Sequence, residues 1–495
     1  MPIDLTDPYL LYIDGVFSEG SLGATADSLD PATGEPWTQF PLAGPSDVDT
    51  AVAAARRALD DPLWCGLSAT ARGKLLHRLA DLIERDAGAL GEIETRDSGK
   101  LAAETRSQTA YVADYYRYFA GLADKIEGAV LPIDKPDMHV FTTPLPVGVV
   151  VAVVPWNAQM FLTATKLGPA LAAGCTVIIK ASEVAPCAML AFARLIDEAG
   201  FPPGVVSVIT GDAPSCGAPL TSHPDVDRIA FTGGPETARH VVRNSADNFA
   251  VTTLELGGKS PILVFDDADL DSAANGLIAG NFGASGQSCV AGSRGLIHRP
   301  ILADMIERIR SKAAGIVVGP PLDPATHVGP LCTLAQVERI ERTLEQAVAQ
   351  GAVIHLGGAR PAGQSGHYFE PTLVECRTPE TETLKTELFG PVMSLLPFDD
   401  EADAIRLAND SDFGLGSGIF TRDLARAHRV SGRLRAGICW VNTYRAISPI
   451  APFGGFNQSG YGREAGLASV LDYTRTRTTW INTADTPMAN PFVMR

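Results

Sequence analysis

The chain has 495 residues, 45% of them hydrophobic and 20% charged, an ordinary globular composition with core enough for two to four domains at ~100–200 residues each. Forty basic against 57 acidic side chains give a formal charge of −17, and such a surface repels phosphate backbones, so no nucleic-acid partner is expected. The most apolar run, 147–155 (VGVVVAVVP), is far short of the ~20 residues that span a bilayer, so no membrane partner is expected.

Eight cysteines, Cys65, Cys175, Cys187, Cys216, Cys289, Cys332, Cys376 and Cys439, are scattered without a CxxC, and no His pair sits at ligand spacing. That pattern predicts a reduced, cytoplasmic protein without a metal site. The opening MPIDLTDPYLLYIDG lacks the basic start and long apolar run of an export signal.

In chain order, a short strand-and-turn opening leads to a helix capped by Ser46 and running to Ala58. Helical spacing continues over 70–90 and 104–123. Residues 126–143 then become extended and Pro-punctuated, an excursion read as a hairpin. From Val147 the pattern alternates: strands at 147–155, 176–182, 205–210, 228–233 and 251–256, with helices over 161–173, 188–199 and 236–244 between them. Near-continuous apolar strands separated by helices predict a parallel sheet covered on both faces. A second alternation places strands at 261–265, 296–298, 353–356, 394–397 and 438–442. The closing TRTRTTWIN reads as one more strand, suited to pair with the 126–143 excursion as an arm joining subunits.

Several stretches carry chemistry. The loop 281–294 (NFGASGQSCVAGSR) is Gly-rich and Ser-rich around Cys289, which read alone is a buried small hydrophobe before it is a nucleophile. Asn157 ends the first buried strand in VPWN, where its amide can stabilise an oxyanion, although alone it is first a turn residue. In KASE, Lys180 can bond ribose or phosphate and Glu183 can accept from ribose hydroxyls; two solvated loop charges are the equal alternative. A carboxylate there repels a 2′-phosphate, which favours NAD over NADP. FTGG places Gly233 and Gly234 at a helix start, where free N–H groups suit pyrophosphate. The GKS of LELGGKS imitates a P-loop, but Thr253 stands where that motif needs Gly and PILVF reads as a strand, so ATP is rejected. Glu255 among apolar neighbours is either a general base with a raised pKa or half of a structural ion pair. Glu387 and Phe389 in ELFGP suit a second ribose and a nicotinamide ring. The stretch 452–464 (PFGGFNQSGYGRE) is too Gly-rich for a helix and reads as a loop, lining either the substrate or a subunit contact.

In order and spacing, VPWN, KASE, FTGG, LELGGKSP, GQSC, ELFGP and PFGGFNQSGYGRE resemble the aldehyde dehydrogenase superfamily over essentially the whole chain. GQSCVAGSR and WVNTYRAISP further resemble a bacterial catabolic subgroup. The resemblance implies an α/β fold: a modified Rossmann-type NAD domain (1–125 and 145–257), an α/β catalytic domain (258–465) and a β-arm for oligomerisation (126–144 and 470–495), assembled as a homodimer or homotetramer. It makes Cys289 the nucleophile and Glu255 the general base. Asn157 and the Cys289 N–H become the oxyanion hole. Val154, Pro155, Trp156, Lys180, Ser182, Glu183, Gly233, Gly234, Leu256, Glu387 and Phe389 fall to the cofactor, NAD in preference to NADP. The presence of Glu255 argues against the CoA-acylating branch.

Two departures bear on the site. Ala158-Gln159-Met160 follows PWN where many members have Phe-Pro or a similar pair, and Gln159 is expected to bring a polar group to the site mouth. Gly234 replaces a frequent Ser and removes one pyrophosphate contact. With Arg445 as a partner for a carboxylate, Gln159 points to a small polar or carboxylated aldehyde. The rivals are a thiol esterase, for which none of the nine histidines lies in a recognisable motif, and a silent NAD-binding structural protein, which Cys289 and Glu255 together oppose.

Overall fold

The computed structural model describes residues 2–488 and 490–493. Two sheets organise them. The first runs in the order Gly460–Tyr461, Val251–Glu255, Arg228–Thr232, Val149–Val153, Thr176–Ala181, Val206–Thr210, Leu11–Ile13, Val16–Ser18. Its five central strands are parallel, and the pairings at both edges are antiparallel. Val149–Val153, Thr176–Ala181 and Val206–Thr210 are buried on both faces apart from a half-buried Val153, hence their unbroken apolar runs. The second sheet has seven strands in the order Val353–Leu356, Thr372–Glu375, Val392–Phe398, Arg294–His298, Pro261–Val264, Gly416–Phe420, Ile438–Val441. All its pairings are parallel except the first. This is the α/β, Rossmann-like architecture expected, and the linker 256–260 carries the chain from one sheet to the other. The chain returns to the first sheet before the expected boundary at 465, because Gly460–Tyr461 pairs with Leu254 and Glu255.

The ribbon expected at the chain end forms: Thr474–Asn482 pairs antiparallel with Met138–Pro146 along all nine residues. A two-stranded ribbon is marginal alone. Here its base is tied to the first core by Val147 N donating to Tyr473 O (2.9 Å) and by Arg228 lying over the buried Tyr473 ring. Of the arm expected over 470–495, residues 489, 494 and 495 lie outside the described residues, as does residue 1 of the first expected domain. No helix among the described residues is long and apolar enough to cross a membrane.

Local differences have local causes. The first long helix is Pro45–Asp60, so Ser46 lies inside it and does not cap it. Gly44 is the N-cap, and Asp47 reaches back to accept from Gly44 N at 2.8 Å. The helix expected over 70–90 is two, Ala69–Arg85 and Ala87–Ser98, broken at Asp86, whose backbone leaves the helical region and whose carboxylate is held by Arg85. Strands Thr372–Glu375 and Gly416–Phe420 are not among those expected from the sequence. The second is Gly-Ser-Gly at its start, which carries little β propensity; a Cβ at Gly418 would press on the Tyr444 ring at 2.8 Å.

Candidate active site

Two depressions meet the motif residues. The larger, about 540 Å³, lies at the carboxyl ends of the parallel strands of the first sheet, where open α/β sheets place ligands. Val154, Pro155, Trp156, Lys180, Ser182, Glu183, Gly233 and Gly234 all line it. Gly234 is the N-cap of helix Pro235–Asn248 and makes no side-chain cap, so the first-turn N–H groups stay available, and no atom crowds the place where its side chain would be. That terminus suits a pyrophosphate through its N–H groups and its dipole. Lys180 and Glu183, read as separate groups, form an ion pair at 2.7 Å. A dinucleotide therefore fits the donor set: backbone N–H groups for phosphate, and an adjacent carboxylate and ammonium for ribose.

Three expected cofactor residues lie outside that lining. Phe389, at a left-handed φ of 51°, meets Trp156 edge to face at 5.4 Å and so borders the groove. Glu387 accepts from Gly258 N at 2.9 Å, and a Cβ at Gly257 would overlap its carboxylate. Burial pushes its carboxyl up to about 7, against the pull of Gly258 N–H and Lys259. Leu256 is buried in the first core and lines neither depression.

The smaller cavity, about 90 Å³, holds Cys289, Asn157, Ala158, Phe161, Leu162 and Phe453 on its wall. The loop before Cys289 is held in an unusual shape: Ala284 and Ser285 both have φ above 50°, each costing roughly 1–2 kcal/mol outside Gly. Tertiary bonds fix it. Glu104 Oε1 accepts from Ala284 N (3.1 Å), Ser285 Oγ bonds Gly329 (3.0 Å), and Gln287 Oε1 accepts from Cys332 N (2.8 Å). Asn157 Nδ2 donates to Gln287 O at 3.0 Å, which orients the amide and uses one of its two N–H groups. Cys289 is half-buried, and burial, then the Glu387 and Glu255 carboxyls, push its thiol up to about 12, with Val290 N–H and Arg445 opposing.

Glu255 ends its strand 3% exposed, and neither carboxyl oxygen has a partner among the described residues. Burial, then the neighbouring Glu464, raise it well above the usual carboxyl range, while Lys166 and Arg463 pull the other way. Of the two readings of Glu255, the ion pair is absent among the described residues. The buried pair belongs instead to Lys166 and Glu464, at 2.5 Å, with Thr232 and Thr165 completing it at 2.6 Å each. The stretch 452–464 lines this site: a Cβ at Gly454 would stand 2.6 Å from Glu255 Oε1, and Phe453 faces Cys289's cavity. Lys259, in the P-loop imitation, is fully buried without a hydrogen-bond partner among the described residues and pushed down to about 7 by burial. A strand, Pro261–Val264, follows it as expected.

Gln159 is a correction. Ala158 (φ −159°, ψ 60°) precedes the helix Gln159–Ala173, and it is Ala158 that lines the cavity. Gln159 is 1% exposed, its amide is unpartnered among the described residues, and it brings no polar group to the mouth. The polar groups there are Lys100, Gln108 and Arg445. Lys100 and Gln108 come from the N-terminal helical region, which offered no motif. Among the described residues no cluster of three or more His, Cys, Asp or Glu is placed to hold a metal.

A profile of the aldehyde dehydrogenase family matches residues 17–479. The chain is 54% identical over 488 residues to the (Z)-2-((N-methylformamido)methylene)-5-hydroxybutyrolactone dehydrogenase of Acinetobacter baylyi, covering 98% of this chain and 99% of that protein. It is 40% identical over 474 residues to a betaine aldehyde dehydrogenase of Rhizobium leguminosarum, covering 95% and 96%. Among solved structures, PnpE of a Pseudomonas species in complex with nicotinamide adenine dinucleotide superposes with a TM-score of 0.95 at 41% identity, over 98% of this chain and 100% of that one. Betaine aldehyde dehydrogenase of Staphylococcus aureus in complex with NAD+ gives 0.96 at 35%, over 98% and 97%.

Proposed function

The chain belongs to the aldehyde dehydrogenase family and is an NAD(P)-dependent oxidoreductase of aldehydes, and from that premise we propose that it oxidises a small polar or carboxylated aldehyde to the acid through Cys289 and Glu255. Cys289 loses its proton to solvent, and the thiolate Sγ attacks the aldehyde carbon, opening the C=O bond to a thiohemiacetal oxyanion. The free N–H of the Asn157 amide and the Cys289 backbone N–H meet the oxyanion, each donor contributing roughly 10²–10³ in rate. The bound cofactor supplies the hydride acceptor. Loss of hydride leaves a thioester on Cys289; Glu255 takes a proton from water, the resulting hydroxide adds to the thioester carbonyl, and the acid departs as the C–S bond breaks. One observation carries this reading: Cys289 and Asn157 share one cavity while Glu255, unpaired and buried, abuts the Gly454 segment whose neighbour Phe453 closes that cavity. No histidine lines the cavity, which disfavours an esterase.

Glu183 on the groove supports NAD over NADP, since a 2′-phosphate would meet its carboxylate. We read 1–125 and 145–257 as the cofactor domain, 258–465 as the catalytic domain and the ribbon as the arm of a homodimer or homotetramer. Trp480 and Ile481, about half exposed on that ribbon, support a subunit contact. Arg445 on the cavity wall supports an anionic substrate. The name of the Acinetobacter relative's substrate adds to this, because a 5-hydroxybutyrolactone is the ring-closed form of a 4-oxobutanoate, an aldehyde with a carboxylate two carbons away. Reduced-cofactor formation with NAD and with NADP across an aldehyde panel tests the reading. Turnover is expected with NAD and oxo-acids and absent in Cys289→Ala; undiminished turnover in that variant would refute it.

A further inference from the structure

The cavity that holds Cys289 opens through a neck. Lys100, Gln108, Ala284, Arg445 and Ile447 line both this cavity and an outer vestibule of about 560 Å³. Ala284 and Ile447 offer alkyl surface, and the other three end in N–H donors.

The donors are arranged, not merely present. Lys100 is 4% exposed and its Nζ donates to Glu94 Oε1 (3.2 Å) and to Gln108 Oε1 (2.7 Å). An ammonium can only donate, so the atom of Gln108 facing it must be the oxygen, whichever way the amide is first drawn. That bond occupies the acceptor end of the amide and leaves its NH2 directed away from Lys100. Lys100 keeps a third N–H. Arg445 uses one N–H on Ala279 O (3.2 Å) and has others to offer. No acid lines the inner cavity; Glu104 lines the vestibule only, where its Oε1 accepts from Ala284 N and its Oε2 is buried without a partner among the described residues. A neck with several oriented donors and no carboxylate of its own is complementary to a group that only accepts.

Resting on the reading in which Cys289 is the nucleophile, we propose that Lys100 and Gln108 determine substrate specificity. The Gln108 amide, turned by Lys100, and the Arg445 guanidinium together grip the distal carboxylate of a small oxo-acid whose aldehyde carbon lies at Cys289. Lys100 acts through Gln108 and is a positioning residue.

The test compares kcat/KM for 4-oxobutanoate and for butanal, with the whole enzyme and NAD. The unaltered enzyme is expected to favour the oxo-acid. The ratio of the two values is expected to fall about 10–100-fold in Gln108→Leu, the range for a hydrogen bond to a charged group. It should fall further in Gln108→Glu, which keeps a partner for Lys100 but turns an anion toward the neck. Structural damage would lower both substrates together and leave the ratio in place. A ratio unchanged in both variants, or no preference for the oxo-acid at the start, overturns this inference alone. No turnover of any aldehyde overturns the reading beneath it.

Discussion

The cofactor groove and the aldehyde cavity are built by different means. Much of the groove comes from short runs of residues at neighbouring strand ends of one sheet, VPW, KASE and FTGG, so a large part of its wall is read in blocks of consecutive sequence. The cavity draws single side chains from far-apart segments, Gln108, Asn157, Cys289, Arg445 and Phe453 among them. A groove of the first kind changes little when surface residues change. A cavity of the second kind can be retuned one residue at a time without disturbing the cofactor. On the proposed reading, substrate choice resides in the scattered residues and cofactor choice in the strand-end blocks.

That division can be broken at either end. The largest effect is expected from Cys289→Ala, which should lower turnover of every aldehyde by about 10⁴-fold or more while NAD binding, measured by calorimetry, stays intact. Loss of NAD affinity would show that the two regions are not separable. Asn157→Ala should reduce kcat by roughly 10²–10³ with little change in KM for NAD, read from steady-state kinetics.

Glu387 sharpens the comparison because its carboxyl, at about 7, titrates in the working range. Only its ionised form can accept from both hydroxyls of a ribose, so NAD should bind more tightly as pH rises through about 7. Roughly tenfold tightening between pH 6 and 8 is expected, and it should vanish in Glu387→Gln. Lys259, also near 7, and Arg339 act on the same carboxyl, so Lys259→Met should shift the midpoint upward. The smallest effect is expected from Glu183→Ala: a several-fold fall in KM for NADP, with KM for NAD rising as a ribose partner is lost.

Stability gives one further check. Glu255 is raised in the folded state, so its contribution is fully present below the unfolded value near 4.5 and is lost as pH climbs toward the folded value. The melting temperature of Glu255→Gln relative to the unaltered enzyme should therefore rise with pH across that window. A flat difference would mean that Glu255 ionises as freely as an exposed carboxylate.

The strand-end residues of the groove were legible because a parallel sheet buried on both faces writes itself as short apolar runs, and the residues after each run must stand at its carboxyl edge. Cys289 and Glu255 stand out in the sequence through their motifs, and the catalytic roles proposed for them rest on the resemblance those motifs carry. Gln159 was misplaced because one non-helical residue, Ala158, decides which of two neighbours faces the cavity, and neither composition nor spacing records that angle. Lys100 and Gln108 carry no motif, and their proposed role arises only once the fold brings them to the cavity of Cys289. Lys166 was missed as well: a lysine inside an apolar helix reads as a surface interruption until Glu464, 298 residues later, is seen against it.

The central claim, a thioester on Cys289 released by Glu255, is tested most directly by mixing Glu255→Gln with NAD and an oxo-acid and following reduced cofactor with intact-protein mass. One equivalent of reduced cofactor per site, then arrest, with the acyl mass on Cys289, is the predicted result. Sustained turnover at the unaltered rate, or a burst without added mass, would contradict it.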